Sequence, residues 1–213
     1  MQRIRRKLQS NSGASMLMAL LLMLVGVVTS AVIIAAAINA ALFVKEEKNQ
    51  MQAYLTVSSA AQLISGELER GECDYSKSVI KTYRYSWSST PMKTETKEES
   101  GSGAFSAIIK EALAELEQYP TKTFNEVYTI SVEGYDEVSA EVFIKKSAEN
   151  TDEYNLTVYF EGGEEPNRCR MILKATGKMT SSDSKGTDSW RRTTVTTTTT
   201  VAWKDASLAR RED

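Results

Sequence analysis

The sequence predicts an α+β protein, in which a long N-terminal transmembrane helix continues into an amphipathic helix packed on an antiparallel β-sheet. Two observations predict this class. Residues 14–44 contain no charged side chain, and after residue 127 short segments alternate apolar and polar residues between turns. Crossing a hydrocarbon core of about 30 Å takes roughly 20 apolar residues, and a period of two is typical of strands with one buried face.

The charges that flank the apolar run predict its orientation. Residues 1–13 form a leader with four basic residues and no acid, whereas two lysines and two glutamates directly follow residue 44. The positive-inside rule therefore predicts a single-pass protein of the cell membrane, with a cytoplasmic amino terminus and an extracellular C-terminal domain. A cleaved secretory signal is the alternative, although its apolar region normally spans only about 7–15 residues.

Helical periodicity continues beyond the membrane segment. Residues 45–71 carry apolar or small side chains at three-four spacing, and no proline occurs between residues 14 and 70. The pattern predicts one helix of about 57 residues that ends before Gly71. Two helices with a break at residues 45–50 are the alternative. The predicted stripe is Met51, Leu55, Ser58, Ala61 or Gln62, and Leu68, with Tyr54, Val57 and Ile64 beside it.

Residues 72–205 are predicted to form the exported domain, followed by a charged, frayed tail at 206–213. A loop rich in Ser, Thr, Glu, Lys and Gly is expected at 88–103, and an amphipathic helix at 104–118. The strands are expected at 78–87, 127–132, 138–145, 154–161 and 169–175. Because the connections between the later strands are short, an antiparallel meander is the natural arrangement.

The last predicted strand, at 190–203, is unusual because Val195 and Val201 are embedded in threonines. Threonine is β-branched and favours strands, so the segment is predicted to be an exposed or edge strand. A mucin-like stalk is the alternative, but such stalks usually contain prolines and this segment has none.

Cys73 and Cys169 both follow the membrane segment. One pair of cysteines in an oxidising compartment predicts a disulfide, here closing a loop of nearly a hundred residues. Two independent buried thiols are the alternative.

The sequence offers no recognisable catalytic, metal or cofactor motif. It contains no histidine, the commonest general base and metal ligand, and it has no phosphate-binding glycine motif or calcium loop. Its adjacent carboxylates lie in charged, solvated contexts, where a catalytic dyad is not expected. The net charge of −2 gives no basic surface for nucleic acid. We therefore expect no enzymatic activity, no cofactor, no metal and no nucleic-acid partner.

A basic leader, a glycine, a long apolar helix that becomes amphipathic, and an antiparallel sheet together resemble the type IV pilin-like proteins. This family includes the pseudopilins of type II secretion and the tight-adherence pilins. In the family, a prepilin peptidase cuts after the leader glycine, which corresponds to Gly13, so the mature chain would begin at Ala14. The family usually carries a glutamate five residues into the mature chain, where this sequence has Met18. Minor subunits at the filament tip can lack that glutamate.

The resemblance implies a non-enzymatic structural subunit of a pilus or pseudopilus, assembled from the membrane as a minor prepilin-like protein. Its implied partners are membrane lipid, other pilin-like subunits and a prepilin peptidase. The alternative is a signal-anchored extracellular binding or adhesive domain that does not polymerise. In that case the threonine-rich strand would bind a partner by strand addition.

Overall fold

The computed structural model describes residues 11–85, 87–131, 134, 136–148, 150, 152–188 and 192–211. These residues form two helices and seven strands, which confirms the predicted α+β class. The elements are α1 (Asn11–Glu69), β1 (Tyr75–Tyr83), β2 (Lys93–Ser100), α2 (Ser106–Gln118), β3 (Thr123–Ile130), β4 (Val138–Lys146), β5 (Glu153–Gly162), β6 (Cys169–Thr187) and β7 (Thr193–Arg210). The chain divides into two compact units, Met1–Asn49 and Gln50–Asp213.

Helix α1 is continuous, which confirms the prediction of one helix rather than two. Its described part includes a segment that is long and apolar enough to cross a membrane, by length and composition. In the first unit, every side chain described from residue 15 onward is exposed. This part of the helix therefore has no partner within its own unit.

In the second unit, α1 contributes one face to the core. The buried apolar residues are small or β-branched except for Leu68, and they are Ala53, Val57, Ala60, Ala61, Ile64 and Leu68. The predicted stripe is wrong at Met51 and Leu55, which are 63% and 42% exposed. Small side chains face the sheet because the two backbones approach closely there. A Cβ atom on Gly162 of β5 would lie only 2.8 Å from Cγ2 of Val57.

The seven strands form one sheet in the order β2-β1-β7-β6-β5-β4-β3, and all neighbours are antiparallel. The later strands form the expected meander from β3 to β7. Strand β1 instead pairs with β7, so Tyr75 lies opposite Val201. Chain segments distant in sequence thus meet in the middle of the sheet.

The core lies on one face of the sheet, beneath α1 and α2. Alternate residues of β4, β5 and the first part of β6 point into it. The buried strand residues of β4 and β5 are Val138, Ala140, Val142, Ile144, Tyr154, Leu156, Val158 and Phe160. Helix α2 adds Ile109, Ala112, Leu113 and Leu116 from its apolar face.

The structure corrects the prediction of an exposed or edge strand at 190–203. From Thr193 to Val201, β7 is paired with β1 on one side and with β6 on the other. Its threonines are half-buried because the neighbouring strands cover their flanks. Among the described residues, no layer of buried apolar side chains forms around these threonines. The residues 189–191 lie outside the described part of the chain.

The predicted strands 78–87 and 127–132 both begin and end earlier in the structure, as β1 and β3. Three further predictions differ more. The sequence predicts a loop at 88–103, but this segment contains β2, whose eight residues are all exposed. Strand β6 extends to Thr187, well beyond residue 175, and β7 extends through most of the predicted tail to Arg210. Residues 93–100 and 180–187 are polar on both faces, so they lack the apolar alternation on which the prediction relies. In the predicted tail, by contrast, Ala206 and Leu208 pack partly buried against the core.

Candidate functional site

The exposed apolar segment of α1, residues 15–44, is the first candidate site. Its large apolar side chains are between 47% and 73% exposed, with Val25 and Met23 at the two limits. Burying a single large aliphatic side chain contributes about 1.5–3 kcal/mol. A continuous apolar surface of this kind is long enough to cross a membrane, by length and composition.

The polar side chains inside this segment are satisfied locally. The hydroxyls of Thr29 and Ser30 both donate to the carbonyl oxygen of Gly26, at 3.0 Å and 2.8 Å. Such bonds to the preceding turn remove the cost of placing a hydroxyl group in hydrocarbon. Threonine and serine are therefore compatible with a membrane-spanning helix here.

The residues predicted for leader cleavage, Gly13 and Ala14, lie near the start of α1. The basic residues of the leader lie among residues 1–10, outside the described part of the chain. Met18 follows in the same helix and is 67% exposed.

A second site forms where α1 meets the start of α2, around the buried carboxylate of Glu67. Its oxygens accept hydrogen bonds from the backbone N–H groups of Ala104, at 3.1 Å, and Phe105, at 3.0 Å. Phe105 is the N-cap of α2, and no side-chain cap hydrogen bond forms from it. Glu67 therefore takes the place of a local capping residue and fixes the first turn of α2 to α1.

Sequence reasoning missed Glu67 because an acid near a helix end is normally solvated. The sequence signal that identifies Glu67 as a buried residue is its position in the helix. It lies three residues after Ile64 and next to Leu68, and both of these side chains are buried. An acidic residue within an apolar stripe indicates a buried partner.

The two cysteines correct the predicted disulfide, because both thiols are free and buried. The Cys73 thiol lies 3.6 Å from a carboxylate oxygen of Glu67, to which it donates. Burial, reinforced by the negative charge of Glu67, raises the pKa of Cys73 to about 12. Burial also raises the pKa of Cys169, although nearby Arg210 opposes this shift. Both groups are thus protonated at neutral pH and are poor nucleophiles.

The strand register explains why Cys73 and Cys169 cannot meet. Tyr75 lies opposite Val201, which in turn lies opposite Met179 of β6. Met179 is ten residues beyond Cys169 on that strand, or about 33 Å at 3.3 Å per residue. Cys73 is only two residues from Tyr75, so the cysteines are far beyond the limit of about 7 Å between bonded Cα atoms.

Two tyrosines near the α2 side of the sheet are also held in their neutral form. Burial and then Glu98 raise the pKa of Tyr75 to about 12. Burial and then Glu111 raise the pKa of Tyr128 to about 12. Among the described residues, no three metal-binding side chains of His, Cys, Asp or Glu come together.

The face of the sheet opposite the core carries a shallow groove of about 140 Å³ beside Tyr159. The guanidinium carbon of Arg211 lies 5.5 Å from the centre of the Tyr159 ring, and Phe143 meets the same ring edge-on. Arg170 forms an ion pair with Glu161 at 3.2 Å. These charges are thus engaged with neighbouring groups of the protein itself.

Comparison of the chain with known protein families, with curated proteins and with solved structures finds no match.

Proposed function

We propose that this protein is a non-enzymatic structural subunit of a pilus or pseudopilus, a minor prepilin-like protein assembled from the membrane. The observation that carries the proposal is the charge-free, exposed apolar segment 15–44 of α1. Such a helix is stable in lipid, and it is equally suited to pack against identical helices when it leaves the lipid. In this proposal the segment is an assembly surface as well as an anchor.

A second feature of α1 supports the same function. In the globular unit, the helix buries one face against the sheet but leaves apolar residues exposed elsewhere on its surface. Met51 is 63% exposed, Leu55 42% and Leu63 43%. Neighbouring subunits in a filament would bury these side chains, which extends the assembly surface beyond the membrane segment.

The proposal includes the topology and processing that the resemblance implies. The amino terminus lies in the cytoplasm, the sheet domain is extracellular, and a prepilin peptidase removes the leader after Gly13. Membrane lipid, that peptidase and other pilin-like subunits are the partners. The leader charges hold the subunit in the bilayer until cleavage.

N-terminal sequencing and intact mass of the membrane-bound protein test this proposal, in cells that contain a prepilin peptidase. We expect a mature chain that starts at Ala14, and we expect Gly13→Val to abolish the cleavage. Gly26→Val is the matched control, because it makes the same change in the same helix away from the leader. A full-length chain starting at Met1 would contradict the proposal.

The non-polymerising binding domain is disfavoured in the form predicted from the sequence. Strand addition at the threonine-rich segment needs a free backbone edge, but Thr193–Val201 has a hydrogen-bonded strand on each side. The outer strands of the described sheet are β2 and β3.

A further inference from the structure

Strand β2 is an exposed outer strand of the sheet. Its eight residues, Lys93–Ser100, are all exposed, and β1 is its neighbour in the sheet. One backbone edge of β2 is therefore available to another chain. Edges of this kind either carry features that block pairing or serve as docking surfaces.

The register with β1 shows which backbone groups face outward. The N–H of Gly101 donates to the carbonyl of Asp74 at 2.8 Å, and each following pair continues the same antiparallel register. In such a ladder, hydrogen-bonded and non-hydrogen-bonded pairs alternate along the strand. The N–H and C=O groups of Thr94, Thr96, Glu98 and Ser100 therefore point away from β1.

The side chains of β2 separate into two faces. Lys93 and Glu95 form an ion pair, which places the odd-numbered residues together on one face. Glu98 forms an ion pair with Lys110 of α2 at 3.3 Å, so the even-numbered residues face α2. The face opposite α2 thus carries, in order along the strand, Lys93, Glu95, Lys97 and Glu99.

We propose that β2 pairs with β2 of a second copy of this chain, antiparallel and centred on Thr96. In this register Lys93 lies opposite Glu99 of the second copy. Glu95 lies opposite Lys97 of the second copy. The symmetry repeats both contacts, which gives four attractive cross-strand pairs without a repulsive one on that face.

The backbone geometry selects the same register. Centring on Thr96 brings Thr94 opposite Glu98 of the second copy, so three of the four outward-facing residues of each strand meet one another. These positions form the hydrogen-bonded pairs of the new ladder. The charged residues occupy the non-hydrogen-bonded pairs, where side chains approach most closely.

Other registers that match outward-facing groups are unfavourable. A shift by two residues in one direction places Lys93 opposite Lys97 of the second copy, and Glu95 opposite Glu95 of the second copy. The opposite shift places Glu95 opposite Glu99 and Lys97 opposite itself. A shift by four residues in the first direction leaves only three residues of each strand paired. A shift by four residues in the opposite direction places Glu98 opposite Glu98 of the second copy. The charge sequence therefore specifies a single register.

Charged edge strands usually prevent pairing, because an isolated lysine facing another chain loses its solvation. The charges of β2 differ in that the strand is its own electrostatic complement when antiparallel. It would still repel or mismatch most other strands. The proposal concerns the globular unit and does not depend on whether α1 polymerises.

Cysteine cross-linking of the full-length chain in detergent micelles tests the register. Thr96→Cys places two thiols on the symmetry axis, where the Cα atoms of a hydrogen-bonded pair lie about 5.5 Å apart and can form a disulfide. Thr94→Cys is the matched control, because its thiol lies four residues from its own copy, or about 13 Å. The native cysteines are buried.

With copper–phenanthroline as oxidant, we expect a reducible dimer from Thr96→Cys on a non-reducing gel. We expect at least about tenfold less from Thr94→Cys. Equal cross-linking of the two variants, or no dimer from Thr96→Cys, would overturn the proposal.

Charge reversal gives an independent test in the Thr96→Cys background. Glu95→Lys alone or Lys97→Glu alone makes two pairs repulsive, and we expect each to lower cross-linking at least about tenfold. Combining both changes in one chain restores complementarity and should restore the dimer.

A mixture of the two single variants should also recover the dimer, because each reversed position then faces an unlike charge on the other chain. This recovery requires both variants to be folded, which separates the effect from unfolding. Full cross-linking by either variant alone, or failure of the mixture to recover it, would overturn the proposal.

Discussion

The sheet has two halves that share one hydrogen-bond network but differ in what covers them. The covered half comprises β3, β4, β5 and residues 169–179 of β6, under which the helices pack. The uncovered half comprises β2, residues 76–83 of β1, 180–187 of β6 and 193–200 of β7. Helix α2 meets its margin through the ion pairs of Lys77 with Glu117 and of Glu98 with Lys110, but buries none of its residues. Alternate residues of β4 and β5 are almost fully buried, whereas no described residue of the uncovered half is buried.

The difference shows that strands can form without a core if the side chains suit a pleated, half-exposed surface. The uncovered half depends on β-branched threonines and on hydroxyl contacts between strands. Ser78 and Thr198 share a hydrogen bond of 3.1 Å, and Thr197 donates to Asp183 at 2.7 Å. Such pairs contribute about 0.2–1 kcal/mol each, less than a buried aliphatic or aromatic side chain. The covered half therefore supplies most of the stability.

The largest expected effect is the loss of a core side chain from the covered half. Phe160→Ala removes a side chain that is 1% exposed and leaves a cavity, so we expect the free energy of unfolding to fall by about 3–5 kcal/mol. Thr198→Ala on β7 is the control in the uncovered half, with an expected loss below about 1 kcal/mol. Urea unfolding of both variants, followed by circular dichroism, measures the difference. Equal losses would remove the energetic distinction between the halves.

The next effect concerns the cover itself, in which Glu67 joins α2 to α1. Glu67→Ala leaves the N–H groups of Ala104 and Phe105 without their acceptor, and we expect a loss of about 2–3 kcal/mol. Glu69→Ala removes the same functional group from an exposed position of the same helix and should change stability by less than about 0.5 kcal/mol. The same unfolding measurement applies. A Glu67 variant as stable as the Glu69 variant would show that α2 does not need this cap.

The smallest effect compares one substitution at two glycines of β6. A Cβ atom on Gly177 would lie 2.9 Å from the ring of Trp203, so Gly177→Ala should destabilise the protein by about 1–3 kcal/mol. A Cβ atom on Gly186 would meet no described atom within 4 Å, so Gly186→Ala should be neutral or slightly stabilising. Thermal unfolding midpoints suffice for the comparison. Similar shifts in the two variants would indicate that the ring of Trp203 yields to the added methyl group.

The covered half was predictable because apolar periodicity indicates burial in its strands, and α1 was predictable because a long charge-free apolar run favours a helix that can cross a membrane. The alternation of Val138, Ala140, Val142 and Ile144 predicted β4, and the charge-free run predicted α1. In β4 each of these apolar positions is buried, whereas the charge-free run of α1 is exposed.

The uncovered half was not predictable in the same way. Residues 93–100 form a strand although neither of its faces is buried, so no apolar alternation exists to identify it. The central position of β7 depends on pairing with β1, which is remote in sequence and leaves no local signature. The Glu67 cap and the separation of Cys73 from Cys169 likewise follow from tertiary register rather than from local pattern.

The pairing of β1 with β7 imposes an order on folding during synthesis. Ser78 meets Thr198, a partner 120 positions later in the chain. Strands β1 and β2 are therefore synthesised early, but β1 cannot pair with β7 until residues 193–201 have been synthesised. Contacts this distant are slow to form, and unpaired edges are exposed until they do. Strand β7, which follows the other described strands in the sequence, thus fills an interior position of the sheet.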